Sequence, residues 1–149
     1  MTEVLFYHLE RGRVEDVLPG LLEKTLERGW RAVVRAASRE RVDALNAHLW
    51  TYRDESFLPH GAAGDGAEQP IWLTDTDERP NSADVLFLTE QVEIAADAAG
   101  AFTRCVKIFD GRDDEALAAA RAFWKDAKAA GHDVAYWKQS PEGRWEKQA

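Results

Sequence analysis

The chain has 149 residues, 45% of them hydrophobic and 31% charged, with a formal net charge of -8. That length holds one ordinary domain with a full core and calls for no stapling disulfide or metal. The acidic balance disfavours direct binding of a phosphate backbone, no apolar run is long enough for a bilayer, and the single cysteine, Cys105, excludes an internal disulfide.

Residues 1–7 lack the basic start and small-residue cleavage site of a secretory signal, so a reducing, cytoplasmic setting is expected. A first strand is read at residues 4–7. Val14, Val17, Leu18, Leu21, Leu22 and Leu26 then recur with helical spacing, and Gly29 supplies a C-cap. Pro19 fits only a first turn, which leaves the start of that helix open. Residues 30–36 read as a second strand, and Ser38 as the N-cap of a helix carrying Val42, Leu45 and Leu49 and closing on Trp50.

Residues 61–67 form a loop of small residues, 71–73 a third strand, and 75–82 a polar connection. Residues 85–89 look like a strand buried on both faces. A short helix is expected within 94–102. A fifth strand follows at 105–109, in which Cys105 reads as a packing residue rather than a nucleophile. A helix spans 114–131, a sixth strand 134–138, and the polar residues 139–149 are expected to fray. Strands alternating with helices, without repeat or linker, predict a single domain over residues 1–149. Its class is three-layer α/β, a mostly parallel sheet with helices on both faces.

The turn after the first strand, residues 8–13, has neither the spaced glycines of a dinucleotide fingerprint nor a phosphate loop. His8, His48, His60 and His132 are scattered without the spacing of a zinc site. Asp75 and Asp77 read as a solvated turn, and Ser56 and Ser140 lack a hydrolase elbow. No catalytic residue, cofactor or metal is assigned.

Two other features stand out. On the helix over 114–131, Ala116, Ala119, Ala120, Phe123, Ala127 and Ala130 fall on one side at about 100° per residue, as a core-facing stripe. Leu117, Arg121, Trp124, Lys125 and Lys128 occupy an opposing arc, an indole among cations on an acidic protein. This reads either as a site for an anionic and apolar ligand, or as a solvated face with Trp124 at the core edge. The second feature, residues 49–60, sets Trp50 and Phe57 beside Leu58 and Pro59. It covers one end of the core or docks a partner helix.

Phe6 and Tyr7, Leu49 and Trp50, the Ser56-Phe57-Leu58-Pro59-His60 run, the glycine-rich loop and the 83–86 segment occur here in a familiar order. Together with Arg121, Trp124, Lys125 and the later Tyr136-Trp137-Lys138, they resemble the chi subunit of bacterial DNA polymerase III over residues 4–138. The resemblance implies a nucleotide-binding-like α/β fold without a working nucleotide site, and a non-catalytic accessory of the clamp loader. It implies one partner in the psi subunit, or another clamp-loader protein, docked on Trp50, Phe57, Leu58 and Pro59. It implies another in the acidic, phenylalanine-ending tail of single-stranded-DNA-binding protein, so that DNA is met only indirectly and no membrane is involved. Lys125 and Arg121 would pair the tail's carboxylates, with Lys128 beside them, while Trp124 and Leu117 receive its apolar side chains. Residues 131–137 are shorter than in the best-known members, and 139–149, with Trp145, has no counterpart. A divergent nucleotide-binding enzyme and a direct binder of single-stranded nucleic acid are the alternatives.

Overall fold

A computed structural model describes residues 2–51, 60–64, 66–90 and 92–148. Its strands are β1 (Glu3–Leu9), β2 (Ala32–Arg35), β3 (His60–Gly61), β4 (Ile71–Thr74), β5 (Val85–Thr89), β6 (Arg104–Asp110), β7 (Asp133–Gln139) and β8 (Trp145–Lys147). The helices are α1 (Val14–Glu27), α2 (Arg39–Thr51), α3 (Ala96–Ala99) and α4 (Asp114–Ala129). The strands form one sheet in the order β3-β4-β2-β5-β6-β1-β7-β8, parallel throughout except where β8 runs antiparallel to β7. The expected three-layer α/β class is the observed one.

Side-chain alternation along the strands feeds two cores. Leu5 and Leu9 of β1 pack with Val14, Leu18 and Leu22 of α1 and Val42, Leu45 and Leu49 of α2. Val4 and Phe6 point the other way, among Ala99 of α3 and Ala120 and Ala127 of α4. Val85–Thr89 is buried at every position, as a central parallel strand requires. Cys105 is fully buried, and burial pushes its thiol up to about 12.

Several local expectations shift. Pro19 lies beyond the first turn of α1, because Asp16 accepts the Arg13 amide at 2.7 Å and starts the helix early. Glu15 thereby loses a helical donor, a cost partly offset by burial of the proline ring on the core face. The short helix shrinks to Ala96–Ala99. Residues 145–147, expected to fray, form β8 instead. Trp145 packs edge-on against Tyr7 at 5.0 Å, so apolar contact and the ladder to β7 order what composition alone marks as tail. Among the described residues no helix is long and apolar enough to cross a membrane.

Candidate functional site on helix α4

α4 follows β6 through Asp113, whose carboxylate accepts the Glu115 and Ala116 amides at 3.0 and 3.4 Å and caps the helix. It ends at Gly131, where φ of 86° suits a residue without Cβ. Ala120 and Ala127 are fully buried, and their small side chains bring the helix close to the sheet. The closeness puts its aromatic residues within reach of β1 and β7.

Phe6 is the centre of the resulting cluster. Its ring lies 5.7 Å from Phe123, 5.5 Å from Trp124 and 6.0 Å from Tyr136, the last nearly parallel. Trp124 meets Tyr136 edge-on at 5.8 Å. Both distances and angles are those of favourable aromatic pairs. Lys128 sets its ammonium 5.4 Å from the Trp124 ring, a cation–π contact. Arg121, Lys125 and Lys128 are exposed, and none is paired with an acidic side chain among the described residues.

One detail of the helical reading is corrected. Trp124 and Leu117 do not oppose the buried face; they are partly buried and pack on its flank. Ala120 and Ala127 fix the inward direction, and Trp124 stands only about 40° from Ala120 at helical pitch. Ala130, placed in the stripe, is exposed. Alanine is a poor compass, because it is acceptable on either face. The cations and the indole still share one edge, with Trp124 forming a wall rather than a free-standing ring.

A further group of polar side chains beside this edge is missing from the sequence-based set. His8, Glu10, Tyr136 and Lys138 project from β1 and β7 or their ends onto the α4 side of the sheet. The signal was present as strand alternation: Phe6 and His8, like Tyr136 and Lys138, are two residues apart and share a face.

At the other end of the sheet, Trp50 is 54% exposed and lies 4.5 Å from the buried His60 ring. Phe57, Leu58 and Pro59 fall outside the described residues. The crevice at the carboxyl ends of β1 and β6, where the crossovers diverge, has a volume of about 440 Å³. Its charges are engaged with one another: Arg41 pairs with Glu15 at 2.8 Å and with Glu90, and Arg112 with Asp110 at 2.8 Å. Burial is the largest single influence on the Glu15 carboxyl and raises it, but the Arg41 hydrogen bond, a backbone hydrogen bond and the charges of Arg41 and Arg13 together hold it below its usual range.

Fold and surface together define an α/β domain that carries, on α4, an aromatic edge flanked by cations without acidic partners among the described residues. A family model described as DNA polymerase III chi subunit, HolC, matches residues 1–135. The chain belongs to that family, the chi subunits of DNA polymerase III. It is 32% identical over 97 residues to the probable DNA polymerase III subunit chi of Rickettsia prowazekii, covering 64% of this chain and 59% of the relative. It is 32% identical over 89 residues to the DNA polymerase III subunit chi of Pseudomonas aeruginosa, covering 58% of this chain and 63% of that protein. The matched stretch thus spans about three fifths of these relatives' lengths.

Proposed function

We propose that this chain is a non-catalytic replication accessory protein that holds the acidic C-terminal tail of single-stranded-DNA-binding protein on the outer edge of α4. In this reading Arg121 and Lys125 take the terminal carboxylate and neighbouring aspartates, and Lys128 adds a further positive charge. Leu117 and Trp124 receive the terminal apolar side chains. Charge-assisted bonds orient the peptide, and desolvation of the aromatic wall adds affinity. A second protein contact, with the psi subunit or another clamp-loader protein, falls on Trp50 and the segment carrying Phe57, Leu58 and Pro59. The exposure of Trp50 supports that contact.

The observation that carries the tail reading is the company Trp124 keeps. Three cations stand exposed on its helix without acidic partners among the described residues, on a protein of net charge -8. Calorimetric titration with a peptide ending in Asp-Asp-Ile-Pro-Phe is expected to give roughly micromolar affinity that weakens with salt, since exposed charges are screened. Lys125→Ala and Arg121→Ala are each expected to weaken binding about five- to tenfold, the range of a charged hydrogen bond near solvent. Heats that ignore both substitutions would move the site off α4.

A further inference from the structure

Beside the α4 edge, the sheet carries a connected polar network that the tail reading leaves unused. His8 is 6% exposed at the carboxyl end of β1. Its Nδ1 lies 2.6 Å from the Tyr136 hydroxyl, and its Nε2 lies 2.6 Å from Glu10 Oε1. A carboxylate only accepts, so Nε2 carries the hydrogen and donates to Glu10, while Nδ1 accepts the Tyr136 hydroxyl proton. Burial lowers the His8 pKa against the opposing pull of Glu10, which agrees with a neutral ring. The same Glu10 oxygen lies 3.6 Å from Lys138 Nζ.

The network is continuous with the α4 edge. Tyr136 stacks edge-on against Trp124 at 5.8 Å, and the positive charges of Arg121 and Lys138 both act on His8. Glu10 is therefore an acidic side chain planted among cations on a surface read as a receptor for acidic residues. Its bond with Lys138 is a surface pair, the side chains 33% and 46% exposed. Such pairs contribute little and are readily exchanged.

We propose that Glu10 is an intramolecular competitor for the acidic tail. Its carboxylate holds the place on Lys138 that an upstream aspartate of the bound peptide takes, and the binding strip runs from Trp124 past Tyr136 to Lys138. The inference rests on the reading of α4 as the tail site. Glu10 discriminates by length: a peptide too short to reach Lys138 has nothing to compete for. The Tyr136 hydroxyl and His8 act as positioning groups, holding Glu10 through a bond that persists when the competing charge is displaced.

The test uses the intact chain and two peptides, a long one with a run of aspartates before its terminal phenylalanine and a short one without them. Glu10→Gln keeps an oxygen for the His8 Nε2 hydrogen and removes only the negative charge. It is expected to tighten the long peptide about three- to fivefold, within the range of one surface ion pair, and to leave the short one unchanged. Lys138→Ala in the same background is expected to abolish the gain. Melting curves that match the parent's show that neither variant acts through the fold. On the unaltered chain, the long peptide and not the short one is expected to shift the His8 imidazole and Lys138 ammonium resonances. Equal affinity of Glu10→Gln and the parent, with Lys125→Ala still weakening both peptides, overturns the competitor and leaves the α4 site standing. Indifference of both peptides to Lys125→Ala overturns the α4 site, and the strip with it.

Discussion

Trp124 shows why a residue's role is read from what it touches rather than from its type. Its ring is partly buried against Phe6 and Tyr136, so it belongs both to the core edge and to the proposed site. Trp124→Ala is accordingly expected to destabilise the fold by roughly 2 kcal/mol, less than a fully buried aromatic loses. Trp124→Phe preserves most of the packing. Denaturant titration of both variants, paired with peptide calorimetry, separates the roles. Binding lost in the alanine variant and largely kept in the phenylalanine variant marks the aromatic wall. The cations differ in kind: Arg121 and Lys125 are exposed, and their replacement is expected to change affinity with little change in stability.

At the scale of elements, α4 is held by its cap, its buried alanines and its end at Gly131. Asp113 satisfies two amides of the first turn, so Asp113→Ala is expected to lower stability by about 1 kcal/mol, measured by denaturant unfolding. The helix and the cations of its later turns were legible in the sequence; the Asp113 cap was not read there. Nor was the helix's rotation, because alanines on both flanks leave the inward direction undecided until the sheet is present. β8 is a different case: it pairs with β7 across a short turn, Gln139 opposite Trp145 with Gly143 at φ 88°, a local hairpin signal that a reading by composition passes over, and the Tyr7 ring adds a distant contact. The positioning of α1 was misread for the opposite reason. A local rule about Pro19 was applied strictly where burial outweighs it.

For the whole molecule, one buried charge links the sheet to pH. Lys107 is 3% exposed on β6, and its ammonium donates to the Glu90 and Val92 carbonyls, each at 2.7 Å. Burial is the main cause that lowers its pKa from 10.5 to about 8. Above that value the folded chain releases the proton while the unfolded chain keeps it, so stability rises with pH. Below it both states are charged and the gain is absent. Cys105 works in the opposite sense above pH 9, where the unfolded thiol ionises and the buried one, pushed up to about 12, does not. The Lys107 gain is therefore read between about pH 8 and 9, with a ceiling of roughly 1 kcal/mol over that unit. Unfolding measured across that interval is expected to show the rise. Lys107→Met is expected to flatten it, and to leave two carbonyls without donors at about 1–3 kcal/mol each if they stay dry.

Composition, periodicity and the ordered motifs of the sequence determined the α/β class, six of the eight strands among the described residues, the family likeness and the cations of α4, but not the short strands His60–Gly61 and Trp145–Lys147. These follow from near-neighbour patterns: a two-residue repeat, a 3.6-residue repeat, and cap residues at their ends. Only the tertiary structure decided that Trp124 is a wall rather than a projecting ring, and that Glu10, His8, Tyr136 and Lys138 meet. The reason is distance along the chain. His8 and Tyr136 are 128 positions apart, and what brings them together is the parallel pairing of β1 with β7, which no local pattern encodes.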